Sequence, residues 1–191
     1  MKLRYLRIFL SLIIIAFCCG NTNAIKDNIN ISKVYIHQVP SKELVNVALN
    51  IVIDKLNKEK IYTKQQMLNV INNGVFKEHN CTMKHHHLII NFTMGKWSKK
   101  HKRYCIFSED EDLKGMCLIG LFNGYHKISM LTKPKIHQTA FAHELLHYFR
   151  RHIDGPSAKG HEPEEFWERL VGFEAKGEIG ILNEELRGAG L

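Results

Sequence analysis

The sequence predicts one α+β domain, built from N-terminal helices, a small antiparallel sheet and a helix in the last third of the chain. Three observations predict it: helical patterns over about 41–74, extended patterns over about 87–131, and a return to helical spacing before Asp154-Gly155-Pro156. No repeat or low-complexity linker interrupts this order. A chain of 191 residues is long enough for one domain with a substantial core.

The two N-terminal helices are predicted from their capping residues. Ser41 precedes an apolar pattern that fades at Asn57-Lys58-Glu59. Thr63 to Gln66 has the form of a capping box, in which each residue satisfies a backbone N–H of the other. Asn72-Asn73-Gly74 then predicts the end of the second helix.

The extended block predicts short strands joined by turns. We expect strands at 87–94 and 103–108, and a hairpin over 116–131 whose turn is Asn123-Gly124. Asn-Gly between apolar runs is the strongest short-range hairpin signal. A further short strand is expected at 32–38. We expect these strands to form a small antiparallel sheet between the N-terminal helices and the helix that follows.

The most informative motif is His143-Glu144-Leu145-Leu146-His147, which lies on the last predicted helix. Residues four apart lie on one face of a helix, so both imidazoles can bind one Zn²⁺. Glu144 would then take a proton from the attacking water, as in zinc peptidases. Thr132 is the expected N-cap and Pro134 lies in the first turn. The alternative is an amphipathic helix whose histidines have no metal-binding role.

A catalytic zinc site needs a third protein ligand. In the pattern HExxHxxGxxH that ligand would be at position 153, but Ile153 stands there, and Arg150 replaces the glycine. That pattern is therefore excluded, although His152 and Asp154 flank the position. The remaining candidates lie in the downstream segment, which includes His161. A carboxylate of the following helix, as in the gluzincin pattern, is the alternative, and the eligible residues are Glu164, Glu165 and Glu168.

The motif and the segment after it resemble the SprT-like zinc metallopeptidases over about residues 136–170. The likeness lies in the HExxH helix, the Gly160-His161 step and the acidic approach to Phe166-Trp167. It implies a zincin-like domain with His161 as third ligand and an aromatic residue beneath the site. This chain has one more residue between His161 and Phe166 than the family usually has, which keeps Glu162 as a further alternative ligand. Family members are usually intracellular, and some act on DNA-bound proteins.

The first 24 residues have the form of a secretory signal peptide. A basic start precedes the apolar run Ile8 to Cys19, and Thr22-Asn23-Ala24 is a small-residue exit. We expect 1–24 to be removed and 25–191 to form the mature domain, secreted or facing the cell envelope. The alternative is membrane association through 1–24.

Charge and cysteine content add two expectations. The net charge is +8, and the three basic residues of the N-terminal segment lower it to +5 for the rest of the chain. This excess favours anionic surfaces without specifying nucleic acid. Residues 96–104 concentrate cations and aromatic side chains and are expected to form an exposed loop, with a phosphate backbone or an anionic membrane as alternative partners.

Cys105 and Cys117 are the expected disulfide pair, with Cys81 left over.

These features together predict a zinc-dependent metallopeptidase whose partner is a protein or peptide substrate. Nucleic acid is not expected as a partner of an exported chain. The alternatives are a gluzincin-type peptidase and a non-catalytic zinc-binding or regulatory protein. The hairpin at 116–131 either pairs with an extended substrate or serves only as core. A residue that stabilises the transition state is expected among Tyr125, His126 and His137, whereas Tyr148 is expected to face away from the metal.

Overall fold

The computed structural model describes residues 30–32, 40–73, 75–79, 82–131, 138–155, 157–158, 160–172, 177 and 179–191. Within this part the chain forms α-helices α1 (Lys42–Lys58), α2 (Lys64–Asn73), α3 (Gln138–Phe149), α4 (Glu164–Val171) and α5 (Ile181–Gly188). The strands are β1 (Asn30–Ser32), β2 (Val75–His79), β3 (Thr82–His86), β4 (Ile89–Thr93), β5 (Lys96–Ser98), β6 (Arg103–Cys105), β7 (Gly120–Phe122) and β8 (Lys127–Leu131). The α+β class is therefore confirmed, while the predicted signal segment and its cleavage site lie outside the described residues.

The caps of α1 and α2 are those that the sequence predicts. Ser41 Oγ accepts a hydrogen bond from the Leu44 N–H at 3.1 Å. Thr63 N–H donates to Gln66 Oε1 at 2.9 Å, and Gln66 N–H donates to Thr63 Oγ1 at 3.2 Å. These bonds satisfy backbone donors that have no partner within the helix, which is why they fix where the helices begin.

The main sheet is mixed, so the prediction of a purely antiparallel sheet is wrong. Its strand order is β1-β4-β8-β7; β4 is parallel to both β1 and β8, and only β7 pairs antiparallel, with β8. Parallel strands need a long crossover. The segment 94–126 between β4 and β8 provides one, since it contains the separate β5–β6 hairpin and β7.

The predicted strands are present but shorter. The segment 87–94 yields β4, and 103–108 yields β6 followed by an isolated bridge between Ile106 and Leu118. Of the strand expected at 32–38, the structure describes only Ser32, the last residue of β1, because 33–39 lie outside the described residues. The hairpin of 116–131 is confirmed as β7 and β8, with the Asn123 side chain accepting the backbone N–H groups of its own turn.

The predicted disulfide is confirmed. Cys105 and Cys117 are bonded, which ties the end of β6 to the segment that leads into β7. Cys81 lies outside the described residues. In the described part of the chain, no helix has both the length and the apolar character needed to cross a membrane.

Helix α3 is the centre of the core and therefore a rigid base for the residues that it carries. It contacts β7, β8, α4 and α5. Five of its apolar side chains are essentially inaccessible to solvent: Phe141, Ala142, Leu145, Leu146 and Phe149. Full burial of a side chain the size of Leu or Phe contributes about 1.5–3 kcal/mol. This packing fixes the rotation of α3 about its axis.

The helix that carries His143 and His147 ends where the sequence predicts, but its last turn is not regular α-helix. After α3, residues Arg150–Asp154 form a π-helical turn, and Gly155 ends it with a φ of 96°. Glycine tolerates this positive φ because it lacks a Cβ atom. The start predicted at Thr132 and Pro134 lies outside the described residues, and α3 is observed from Gln138.

Candidate metal centre

Two histidines of α3 point to one site. His143 and His147 lie one helical turn apart, and their Nε2 atoms are 3.2 Å from each other. Both side chains are half-buried. The i, i+4 spacing that the sequence predicts therefore brings the two ring nitrogens together.

His161 completes the group from the segment just before α4. Its Nε2 lies 2.9 Å from that of His143 and 3.1 Å from that of His147. Nitrogens bound to one zinc at about 2.0–2.1 Å in a tetrahedral arrangement are separated by about 3.3 Å. The three distances fit three corners of such a tetrahedron. His143, His147 and His161 thus lie close enough to bind one metal ion.

None of the alternative ligands joins this group among the residues that the structure describes. Asp154 instead accepts a hydrogen bond from the Tyr62 hydroxyl at 2.6 Å, and His152 contacts the backbone oxygen of Tyr125. The four acidic candidates are exposed or partly exposed around the start of α4: Glu162, Glu164, Glu165 and Glu168. The described group therefore favours a three-histidine centre over a two-histidine, one-carboxylate centre.

The indole of Trp167 forms the floor of the group. It is fully buried, and its ring centroid lies 5.1 Å from that of His143, 4.4 Å from His147 and 4.8 Å from His161. Phe166 packs against Trp167 at 6.3 Å. A buried aromatic floor restricts the rotation of the imidazoles and excludes water from one side of them.

Burial favours the neutral form of the three imidazoles, which is the form that binds metals. Burial lowers the pKa of His143 to about 4, with a further lowering from His161. Burial also lowers the pKa of His147, and the neighbouring His143, His161 and Arg150 add to this effect. The pKa of His161 falls for the same first reason. Because a protonated imidazole cannot coordinate a metal, these directions support a cation site.

Glu144 lies beside the histidines but is not a member of the group. Its side chain is 8% exposed, and the Phe122 N–H of β7 donates to Glu144 Oε2 at 2.7 Å. Burial raises the pKa of Glu144 to about 7, and the Phe122 hydrogen bond opposes that rise. A carboxylate with such a pKa both accepts and releases a proton near neutral pH.

Gly120 allows the Glu144 side chain to lie against β7. No motif in the sequence identifies this role of Gly120. A Cβ atom at position 120 would lie 2.8 Å from Glu144 Cγ, 3.0 Å from Glu144 Oε1 and 3.2 Å from Ala140 Cβ. Glycine is therefore required here because Glu144 and Ala140 approach the backbone closely. The backbone conformation does not require it, since Gly120 has no positive φ. The sequence contains one indication of this role: a single glycine within a predicted strand often marks a site where another group approaches the backbone closely.

Arg150 links the elements that form the group and was also missed as a functional residue. Its guanidinium donates to the Glu162 backbone oxygen at 2.6 Å and lies 3.6 Å from Asp154 Oδ2. It also lies over the rings of Phe166 and Trp167, at 5.1 and 5.7 Å from their centroids. The side chain is only 12% exposed. Arg150 thereby connects the π-helical turn to the segment that carries His161.

Replacing Arg150 with alanine should weaken metal binding, since the segment of His161 loses its anchor. Loss of a residue that supports metal ligands typically costs 10–100-fold in affinity, and we expect an increase of about that size in the Kd for Zn²⁺. Arg150→Lys should restore only part of the zinc affinity, because lysine lacks the planar guanidinium group with its several N–H donors. Arg169→Ala is the matched control, since Arg169 is exposed on α4. Competition with a chromophoric chelator measures the effect, and equal Kd values for both alanine variants would contradict it.

The remaining sequence candidates are Tyr148, Tyr125, His126 and His137. Tyr148 is buried and donates its hydroxyl to the Val70 backbone oxygen at 3.3 Å, which confirms that it faces away from the group. Tyr125 and His126 pack ring to ring at 5.3 Å. His137 is outside the described residues. No transition-state donor is therefore assigned.

Three histidines and a buried glutamate define this site by geometry. Comparisons of the chain with protein-family models, with curated proteins and with solved structures found no match. The resemblance to the SprT-like metallopeptidases accordingly stays a prediction from the sequence.

Proposed function

We propose that this chain is a zinc-dependent metallopeptidase. The observation that supports it best is the convergence of three Nε2 atoms within 3.2 Å of one another beside the buried Glu144. His143, His147 and His161 would hold Zn²⁺, and the three-nitrogen set leaves a fourth position for water or substrate. A purely structural zinc site uses four protein ligands and has no need of the adjacent carboxylate.

In this proposal, bound Zn²⁺ supplies a Lewis acid that polarises the peptide carbonyl and makes water more acidic. Glu144 accepts the proton of the attacking water on its carboxylate and later donates it to the nitrogen of the leaving amine. The Phe122 N–H holds Oε2, which orients the carboxylate for this transfer. Trp167 keeps the buried side of the imidazoles dry.

Strand β7 is the proposed binding edge for an extended peptide. It is the terminal strand of the described sheet and contacts α3. Ile119 O accepts the Leu131 N–H, so the alternation of an antiparallel pair directs the peptide groups of Gly120 and Phe122 away from β8. The Phe122 N–H is already used by Glu144, which leaves the Gly120 N–H and C=O and the Phe122 C=O as the candidates for substrate pairing.

The proposal includes an exported enzyme, either secreted or facing the cell envelope. The basic and apolar start of the chain and the small residues before position 25 support it. Mass spectrometry of the protein purified from its native source provides the test. A mature N-terminus at residue 25 would support export, and an intact N-terminal segment would favour membrane association or retention in the cell.

The zinc-loaded protein should cleave unstructured peptides. A library of quenched fluorescent peptides tests this before and after removal of the metal with a chelator. Activity that disappears with the metal and returns with Zn²⁺ is the expected result. Absence of cleavage by a fully zinc-loaded protein across the library would instead favour the non-catalytic zinc-binding alternative.

Gly120→Ala should lower kcat because the new methyl group would displace the Glu144 side chain. A misplacement of about 1 Å in a catalytic group costs about 10²-fold, which sets the expected loss. Zinc content should not change, because the three histidines are not involved. Gly188→Ala is the matched control, since a Cβ atom there meets nothing within 4 Å. Unchanged kcat in Gly120→Ala would show that Glu144 does not need this position.

A further inference from the structure

The hairpin Lys96–Cys105, formed by β5 and β6, presents an aromatic pair to solvent. Trp97 and Tyr104 are cross-strand neighbours, and their rings meet edge to face at 5.3 Å. Trp97 is 56% exposed and Tyr104 is 48% exposed, although most large aromatic side chains of the described core are buried. On the other face of the hairpin, Ser98 and Cys105 are buried against the domain. The aromatic pair therefore lies on the outward face.

The same hairpin carries five exposed cations without carboxylate partners. They are Lys96, Lys99, Lys100, Lys102 and Arg103. None of them forms an ion pair with a carboxylate in the described ranges, and Arg103 instead contacts the sulfur and backbone oxygen of Cys117. The positive charge of the hairpin is thus available to an external anionic partner.

The hairpin is a fixed element of the domain surface. The Cys105–Cys117 disulfide holds the end of β6, and the adjacent bridge between Ile106 and Leu118 extends that attachment. His101 N–H also donates to Ser98 Oγ at 3.2 Å across the turn. The aromatic rings and the turn residues Lys99, Lys100 and Lys102 are therefore held on one rigid hairpin, whereas Lys96 and Arg103 alternate to the face of Cys105 and Ser98.

We propose that the hairpin Lys96–Cys105 docks the domain onto an anionic lipid bilayer. Tryptophan and tyrosine prefer the level of the lipid headgroups, where the ring is partly buried and its polar atom stays hydrated. Lysine and arginine next to them are attracted to the negative surface potential. The aromatic pair and the cations lie on the same hairpin, and this combination is typical of proteins that bind the surface of a membrane. This inference does not depend on the proposed peptidase activity.

The observations favour a membrane over single-stranded nucleic acid. Four of the five cations are lysines, which act as hydrated point charges on a diffuse anionic surface. Arginine is the residue that suits bidentate phosphate recognition.

Cosedimentation of the purified chain with vesicles tests the charge requirement. Phosphatidylcholine vesicles with phosphatidylserine should bind the protein, and pure phosphatidylcholine vesicles should bind it much less. The double variant Lys99→Glu, Lys100→Glu should bind the anionic vesicles at least about tenfold more weakly. The charge-matched control is Lys58→Glu, Lys60→Glu, at exposed positions where α1 ends. Every variant carries the same N-terminal segment, so its contribution cancels.

Tryptophan fluorescence tests the aromatic contact. The chain has two tryptophans, and Trp167 is fully buried, so a blue shift on adding anionic vesicles reports Trp97. Trp97→Phe should remove that shift, while far-UV circular dichroism shows whether the variant is folded. Equal weakening by both lysine double variants, or an equal Trp97 blue shift with neutral vesicles, would overturn the proposal. Tight binding of a single-stranded oligonucleotide without vesicle binding would assign the hairpin to nucleic acid instead.

Discussion

Glu144→Gln should abolish peptide hydrolysis while leaving the zinc content unchanged. Glutamine has nearly the same size as glutamate, and its carbonyl oxygen can still accept the Phe122 N–H that now donates to Glu144 at 2.7 Å. It cannot accept a proton near neutral pH. Removal of a general base typically costs 10²–10⁴-fold, and we expect kcat to fall by about that factor. Peptide cleavage and zinc analysis of the same preparation measure both outcomes.

The matched control is Glu165→Gln, which removes an exposed carboxylate at the start of α4. It should retain full activity. Hydrolysis that survives in Glu144→Gln would show that another group takes the proton, and the mechanism proposed for this site would be wrong. Loss of zinc from Glu144→Gln would instead indicate that Glu144 is needed to keep the histidines in place.

His161→Ala should remove most of the metal affinity. His161 supplies one of three nitrogens, at 2.9 Å and 3.1 Å from the other two, and alanine offers no donor atom. Loss of a supporting residue costs up to about 100-fold in affinity, and loss of a direct ligand should exceed that. Activity should fall with the metal content. Competition titration with a chelator gives the Kd, and dialysis followed by metal analysis gives the occupancy.

The control for this variant separates the two ligand hypotheses. Glu162, Glu164, Glu165 and Glu168 lie near His161 in the chain and have the chemistry of zinc ligands. Each of the four single alanine variants should keep the wild-type Kd. A large loss of affinity in one of them, with His161→Ala unaffected, would move the third ligand to that carboxylate and support the gluzincin alternative.

Features that depend on neighbours in the sequence were predictable. Ser41, the Thr63 and Gln66 pair and the Asn123-Gly124 turn act over four residues or fewer, and the structure confirms each of them. The i, i+4 relation of His143 and His147 is equally local. Such signals are readable because the interacting groups are covalently close.

Features that depend on distant parts of the chain were not predictable from local patterns. The parallel pairing of β4 with β8 joins strands separated by a long crossover, and no short-range signal records it. In the sequence, Arg150 only excludes a glycine-containing motif, whereas in the structure it binds the backbone of Glu162 next to His161. Gly120 is needed because Glu144 approaches it, which only the folded arrangement of β7 and α3 reveals.

The central claim is that three imidazole nitrogens hold one zinc ion beside Glu144. Zinc analysis combined with X-ray absorption at the zinc edge, on the purified chain, tests it most directly. We predict one zinc per chain, with three imidazole nitrogens at about 2.0–2.1 Å. A chain without stoichiometric zinc, or a metal bound mainly by carboxylate oxygens, would contradict the account.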